Sequence, residues 1–356
     1  METKRRRKIE IRKNFRVAEI VDGERIESVT TFNLPKPGDL PNGVSPESPV
    51  SGFVFGSAGK NPAEVAESPL ISLLGDGAPS DSGIHAAQIC AVSGVPSKPV
   101  TLNGRTVGFA YEDDCAAYCR LRGITSNDAS MSPGEQTSSA FENVKSALES
   151  AGFAFRDVVR TWCYLDNLLD WYGEFNSARN AFFEREGVYE GVVPASTGIG
   201  ASNAAGAALV LDVLATRPRA GGGRVAPVES PMQNPALDYK SSFSRAVEIA
   251  CPGYAMLMVS GTASIDGDGR SVRIGDLDGQ IELTLDVVEA LLESRGMSWG
   301  DAFRGIAYFK HPEDVGELGP RLARRGIPEF PLAAVPAAVC RDELLFELEL
   351  DAANAV

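Results

Sequence analysis

The chain closes on Leu345-Phe346-Glu347-Leu348-Glu349-Leu350-Asp351-Ala352, an apolar strand interrupted by carboxylates. Strand alternation puts Glu347 and Glu349 on one face and Phe346 and Leu348 on the other. A carboxylate in such a strand lies either on a solvated edge or in the wall of a cleft. Burial in a cleft would raise the pKa of Glu347, because it disfavours the charged form, and would leave a usable general acid. Enol-ether cleavage is chemistry of that kind: a proton goes to the vinyl carbon, and water or a neighbouring group traps the resulting oxocarbenium.

A small anionic substrate also needs fixed cations, and the planar arginine fork suits a carboxylate because it can bind in bidentate fashion. The candidates are Arg160, Arg179, Arg245 and Arg341, with Lys240 as a further cation. For each, the commoner fate is a surface ion pair. Tyr164 and Tyr172 are candidate hydrogen-bond donors to substrate, although aromatics on such elements more often belong to the core. Cys340 has the plain alternative of packing as a small hydrophobe.

Other chemistries lack their residues. There is no Gly-x4-Gly-Lys run and no Gly-x-Ser-x-Gly elbow, and Gly198-Ile199-Gly200 resembles a phosphate loop only superficially. With His85 and His311 as the only histidines and Cys115 and Cys119 the only close cysteine pair, no zinc site is expected. The expectation is a protein without metal or cofactor. A net charge of −14 argues against nucleic acid or an anionic membrane as partner, but not against a small anion held by local arginines. The basic run Lys4–Lys8 reads as a solvated N-terminus, with no apolar signal core behind it and no stretch of membrane-spanning length. The six cysteines follow no disulfide framework, which suits a reducing compartment, and a cytoplasmic protein is expected.

The elements that must position these residues occur twice. Ala140, Phe141, Val144, Ala147 and Leu148 recur at helical spacing, as do Leu277, Ile281, Leu285, Val288 and Leu292. Each helix ends near a glycine, Gly152 or Gly296, and leads into a strand, Val158–Leu165 or Phe303–Phe309. Gly152, Asp157, Arg160 and Tyr164 match Gly296, Asp301, Arg304 and Tyr308 at one constant offset. A second helix follows in each half, marked by Leu168, Tyr172, Phe175 and Phe182 and by Val315, Leu318 and Leu322, before closing strands at Ala208–Ala215 and Leu345–Ala352. The expected fold is α/β in the α+β sense: two tandem domains, each a mixed sheet with helices on one face, paired pseudo-symmetrically around a cleft. The domains run over 81–218 and 228–356, joined by a Gly/Pro linker at 219–227 and preceded by an irregular arm at 1–80. A hairpin is expected between Met256–Ile265 and Val272–Ile274, across Asp266-Gly267-Asp268-Gly269.

The duplication separates fold from chemistry. It sets Val210 opposite Glu347 and Asp212 opposite Glu349, so the fold itself does not need a carboxylate at Glu347. Arg304 repeats Arg160, so at least one of that pair is expected to be structural.

The second half resembles a YjgF/Rid domain in Val259-Ser260-Gly261, Gly275-Asp276, Gln280, Gly296 and Arg341…Glu347-Leu348-Glu349. It also resembles the C-terminal half of the chorismatases in Ser260-Gly261-Thr262-Ala263-Ser264-Ile265 and in the run Cys340–Glu347. Arg160–Leu165, Phe175–Arg179 and Phe243-Ser244-Arg245 look like other chorismatase segments, so the resemblance covers roughly 105–352. Pro194–Gly200 departs from the family pattern, and Lys240 stands near a place where the family tends to have arginine. The resemblance implies a proton-donor role for Glu347, a carboxylate-binding role for Arg341, and for Cys340 a hydroxybenzoate product, whereas Ala263 accompanies the dihydrodiol version. It implies release of pyruvate from chorismate or a related carboxylate. The alternatives are a Rid-type hydrolase of 2-imino acids and a non-catalytic metabolite-binding protein, each as a homotrimer or a monomer.

Overall fold

In the computed structural model, which describes residues 6–12, 15–22, 25–38, 50–56, 71–75 and 84–355 except 204 and 240, one six-strand plan is used three times. The first sheet holds β1 (Arg6–Arg12), β2 (Phe15–Asp22), β3 (Arg25–Gly38), β4 (Val50–Gly56), β5 (Ile71–Gly75) and β6 (Ile84–Ser93). The second holds β7 (Ser97–Leu102), β8 (Arg105–Glu112), β9 (Ala116–Ile124), β10 (Val158–Leu165), β11 (Ala195–Gly200) and, after the short β12 (Ser202–Asn203), β13 (Leu209–Pro218). The third holds β14 (Arg224–Val228), β15 (Ala246–Cys251), β16 (Tyr254–Ala263), β17 (Ala302–Phe309), β18 (Leu332–Pro336) and β19 (Phe346–Ala355). The orders are β1-β2-β3-β6-β4-β5, β7-β8-β9-β13-β10-β11 and β14-β15-β16-β19-β17-β18, with β12 added to the edge at β5. In every sheet the fourth and fifth strands are parallel, and the sixth lies antiparallel between the third and fourth.

The arm expected to be irregular is therefore a third copy of the sheet. Its connection 39–49 is too short to hold the 18-residue helix that follows the third strand in the second unit. That helix, α1 (Pro133–Ser150), starts with a capping box: the Glu135 amide donates to Ser132 Oγ, and the Ser132 amide donates to the Glu135 carboxylate. α2 (Leu168–Arg185) packs with α1 on the outer face of the second sheet, through Phe141, Phe155, Phe175, Phe182 and Phe183. α3 (Leu277–Glu293), capped by Asp276, and α4 (Leu318–Arg324) cover the third sheet through Ile281, Leu285, Val288 and Leu292. Gly152 and Gly296 sit at φ +80° and +65° just past their helices, where a Cβ would strain the backbone. Among the described residues no helix is long and apolar enough to cross a membrane.

The inner faces of all three sheets share one core. β5 lies against β9, β11 against β16, and β18 against β3 and β6, so each unit's fifth strand meets the next unit in a ring. At the centre, Phe55 meets Tyr164 and Tyr308 edge-on, with ring centroids 6.4 and 6.2 Å apart.

Three local expectations differ from the structure. Val272–Ile274 is not a strand: the Asp266 carboxylate accepts from the amides of Asp268 and Arg270, and only the Ile265–Ser271 bridge remains, while β16 pairs with β15 and β19. Part of the 219–227 linker is strand β14, and the turn before it wraps Cys115 so closely that a Cβ on Gly222 would overlap the Cys115 carbonyl. Cys115 and Cys251 form a disulfide between the second and third units, with Cα atoms 5.8 Å apart, although their spacing showed no framework.

Candidate active site

Phe346, Leu348 and Leu350 of β19 point outward into the core under α3, leaving Glu347 and Glu349 on the inner face. Both are buried, at 4% and 0% exposure, yet their surroundings differ. Glu349 Oε2 accepts from Arg160 (2.9 Å) and Thr197 Oγ1 (2.6 Å); Oε1 accepts from Trp162 Nε1 (3.0 Å) and from Arg304. Burial alone would raise this carboxyl, but the Arg304 and Arg160 guanidinium groups and these donors hold it below the usual carboxylate range. The Glu347 carboxyl has no hydrogen bond among the described residues. Burial, and next the charge on Glu349, push its carboxyl up to about 8, with Arg160 pulling the other way.

Space for that carboxyl comes from Gly261. Its backbone lies at a register shift between Val259 and Thr262, and a Cβ there would overlap Glu347 Oε1. The Gly261 amide donates to Thr197 Oγ1 at 3.2 Å. Thr197 thus joins β11 of the second unit to β16 and β19 of the third.

The loop after β18 completes the junction. The Ala338 carbonyl accepts from the Gly200 amide at 2.8 Å, which ties this loop to β11 and brings Cys340 against Tyr172 of α2. Burial, and then the charge of Glu347, push the Cys340 thiol up to about 12, so it stands there as a neutral thiol. Burial raises the Tyr172 phenol as well, and Cys340, Arg179 and Glu347 all lie close enough to act on it. Tyr172 stacks on Phe175 and passes 3.8 Å from where a Cβ on Gly198 would stand.

Three arginines gather around this point. Arg179, 3% exposed, donates to Asn176 Oδ1 at 2.7 Å, and its Nε has no partner among the described residues. Arg245 donates from Nε and a terminal nitrogen to the Asn234 carbonyl, at 3.1 and 2.9 Å. Arg341 donates to the Gly269 carbonyl (2.8 Å) and Ser271 Oγ (3.2 Å). The guanidinium groups of Arg245 and Arg341 lie 5.4 and 5.9 Å from the Tyr239 ring centroid, one aromatic shared between two cations.

The structure therefore sets Glu347 and Cys340 side by side with Tyr172, with Arg341 next to Cys340, Arg179 next to Tyr172, and Arg245 one ring further on, sharing Tyr239 with Arg341. Two residues named as substrate contacts are held in the packing, Arg160 next to Glu347 and Tyr164 away from it. Arg160 is fully buried in its ion pair with Glu349. Tyr164 is in the central core between Phe53 and Phe55, because its position on β10 points into the ring of sheets. Lys240 lies outside the described residues. Thr197 and Tyr239 carry no sequence signal beyond lying in or beside segments that depart from a family pattern, whereas Gly261 lies within the Ser260–Ile265 motif.

The sequence model of the Endoribonuclease L-PSP family matches residues 123–215. Over 252 residues the chain is 27% identical to a chorismatase of Streptomyces hygroscopicus, covering 64% of this chain and 70% of that protein. Over 220 residues it is 28% identical to a chorismatase of Streptomyces rapamycinicus, covering 55% of this chain and 64%, less than two thirds, of that relative. A crystal structure of a chorismatase superposes with a TM-score of 0.65 at 20% identity, covering 92% of this chain and 98% of that one, a likeness that speaks for the fold.

Proposed function

We propose that this chain, a chorismatase-like enzyme built on the Rid fold, cleaves the enolpyruvyl ether of chorismate or a closely related small dicarboxylate and releases pyruvate. The observation that carries this reading is a buried Glu347, in its acid form up to about pH 8, beside Cys340 and Tyr172, which in turn have Arg341 and Arg179 close by. A dicarboxylate needs at least two fixed cations, and Arg341, Arg245 and Arg179 supply them.

Carboxylate binding by the arginines sets the vinyl carbon toward Glu347. Transfer of the Glu347 proton to that carbon leaves an oxocarbenium at the ether carbon. Breaking the ring-side C–O bond then releases pyruvate and a ring cation that becomes the hydroxybenzoate by losing a proton. Water added at the ether carbon instead loses a proton and gives a hemiketal that collapses to pyruvate and the dihydrodiol. A half-buried neutral thiol at Cys340, next to the donor, supports the hydroxybenzoate as co-product, as the resemblance implies for cysteine at this place.

The test is pyruvate release from chorismate by purified protein, with Glu347→Gln as control. Glu347-dependent release supports the reading. Absence of release, with hydrolysis of 2-imino acids instead, would replace it by the imine-hydrolase reading.

A further inference from the structure

We infer that Glu349 is a positioning residue whose fixed negative charge keeps the neighbouring Glu347 in its proton-bearing form. The inference rests on the proton-donor reading of Glu347 and adds the group that sets its protonation.

The geometry supplies the argument. Glu349 stands two residues from Glu347 on the same face of β19, with each oxygen accepting two hydrogen bonds. A carboxylate saturated by two guanidinium groups, an indole N–H and a hydroxyl cannot shed its charge cheaply. Its place is also chemically distinct in the three units: the register that pairs Ile306 with Glu349 pairs Trp162 with Asp212 and Phe53 with Gln88. Asp212 is held in the same manner, by Arg122 and by Ser72 from the preceding unit, yet Val210 stands where a proton donor would be. A buried acidic group at this place thus serves two of the three junctions between units, with the amide of Gln88 at the third. Beside Glu347 it has a second consequence.

The groups facing Glu347 from other elements are Arg160 on β10, Tyr308 on β17, Tyr172 on α2 and Cys340 on the loop after β18. Among these described groups only Arg160 is a cation, and one of its terminal nitrogens is held by Glu349 and Thr197. Removing the Glu349 charge would leave Arg160 uncompensated next to Glu347 and favour the ionised, inactive form of the donor. Removing the Arg160 charge would act in the opposite sense.

The experiment follows the Glu347 carboxyl band by infrared titration, subtracting the Glu347→Gln spectrum, together with the pH profile of kcat/KM. Glu349→Gln is expected to move both the titration and the alkaline limb down by about one pH unit or more. Arg160→Met is expected to move them up. Shifts of opposite sign are a result that a merely structural role would not give; shifts of the same sign, or none, overturn the inference. If Glu349→Gln fails to fold, the upward shift in Arg160→Met carries the test, and an unmoved titration there overturns it. Because the infrared readout uses no substrate, a protein that leaves chorismate untouched yet shows the paired shifts would sink the proposed reaction and keep this inference.

Discussion

Tyr308 and Glu347 are register partners across β17 and β19, and the same register pairs Tyr164 with Val210 and Phe55 with Ala86. One topological place is thus filled by a carboxylate once and by apolar side chains twice. The aromatic partner is kept each time and belongs to the fold. The carboxylate occurs at one place only, and there a glycine has been left without a side chain to admit it.

Activity should depend on pH through Glu347. As a proton donor it works when protonated, so the rate should be level below about pH 8 and fall above it. The folded-state pKa is raised above the unfolded value, so the associated stability is fully present below the ordinary glutamate range and is lost as pH rises toward 8. Denaturation midpoints measured across that window should fall with pH, and Glu347→Gln should flatten the slope.

Gly261→Ala should cripple turnover while the protein stays folded. The added methyl competes with the Glu347 carboxyl for the same space, so overpacking should cost about 1–3 kcal/mol. Displacement of the donor should lower kcat by roughly a hundredfold. Thermal melts and single-turnover rates separate the two effects.

Arg341→Lys and Arg245→Lys should each lower kcat/KM by about ten- to a hundredfold, because a lysine keeps the charge but not the fork. Equal activity in either variant would remove that residue from the substrate contacts.

Tyr164→Phe should leave activity within about threefold and stability unchanged or slightly higher. Its hydroxyl is buried without a hydrogen-bond partner among the described residues, so deleting it removes a desolvated polar atom. Tyr172→Phe, which alters the wall beside Cys340 and Glu347, should change kcat or the product ratio.

Reducing the Cys115–Cys251 bridge should lower the unfolding free energy by up to about 5 kcal/mol, since it closes a loop of 136 residues in the unfolded chain. Urea titrations with and without reductant, and of Cys115→Ser, measure this directly.

The helices and the two closing strands were legible because a 3.6-residue period and capping glycines are local signals. Glu347 was legible because a repeat supplies its own control, Val210. The same control applied to Tyr164 and Tyr308 marks Tyr164 as structural, as the core shows. The third sheet was hidden because its sequence is broken by Pro35, Pro37, Pro41, Pro46 and Pro49 and a Gly- and Ser-rich stretch, which read as loop. The disulfide was hidden because its cysteines meet only when two units dock. Tyr239 was hidden for a related reason: it is defined by two arginines that folding brings to one ring.

The ring of three sheets within one chain has a consequence for how the molecule can vary. In a ring of identical chains, a single codon change alters every junction at once, so a residue harmful to packing at one is harmful at all. Here Ala86, Val210 and Glu347 are encoded separately. Two junctions can therefore be selected for cohesion alone, while the third tolerates a costly buried acid and an emptied glycine position because its neighbours hold the ring together.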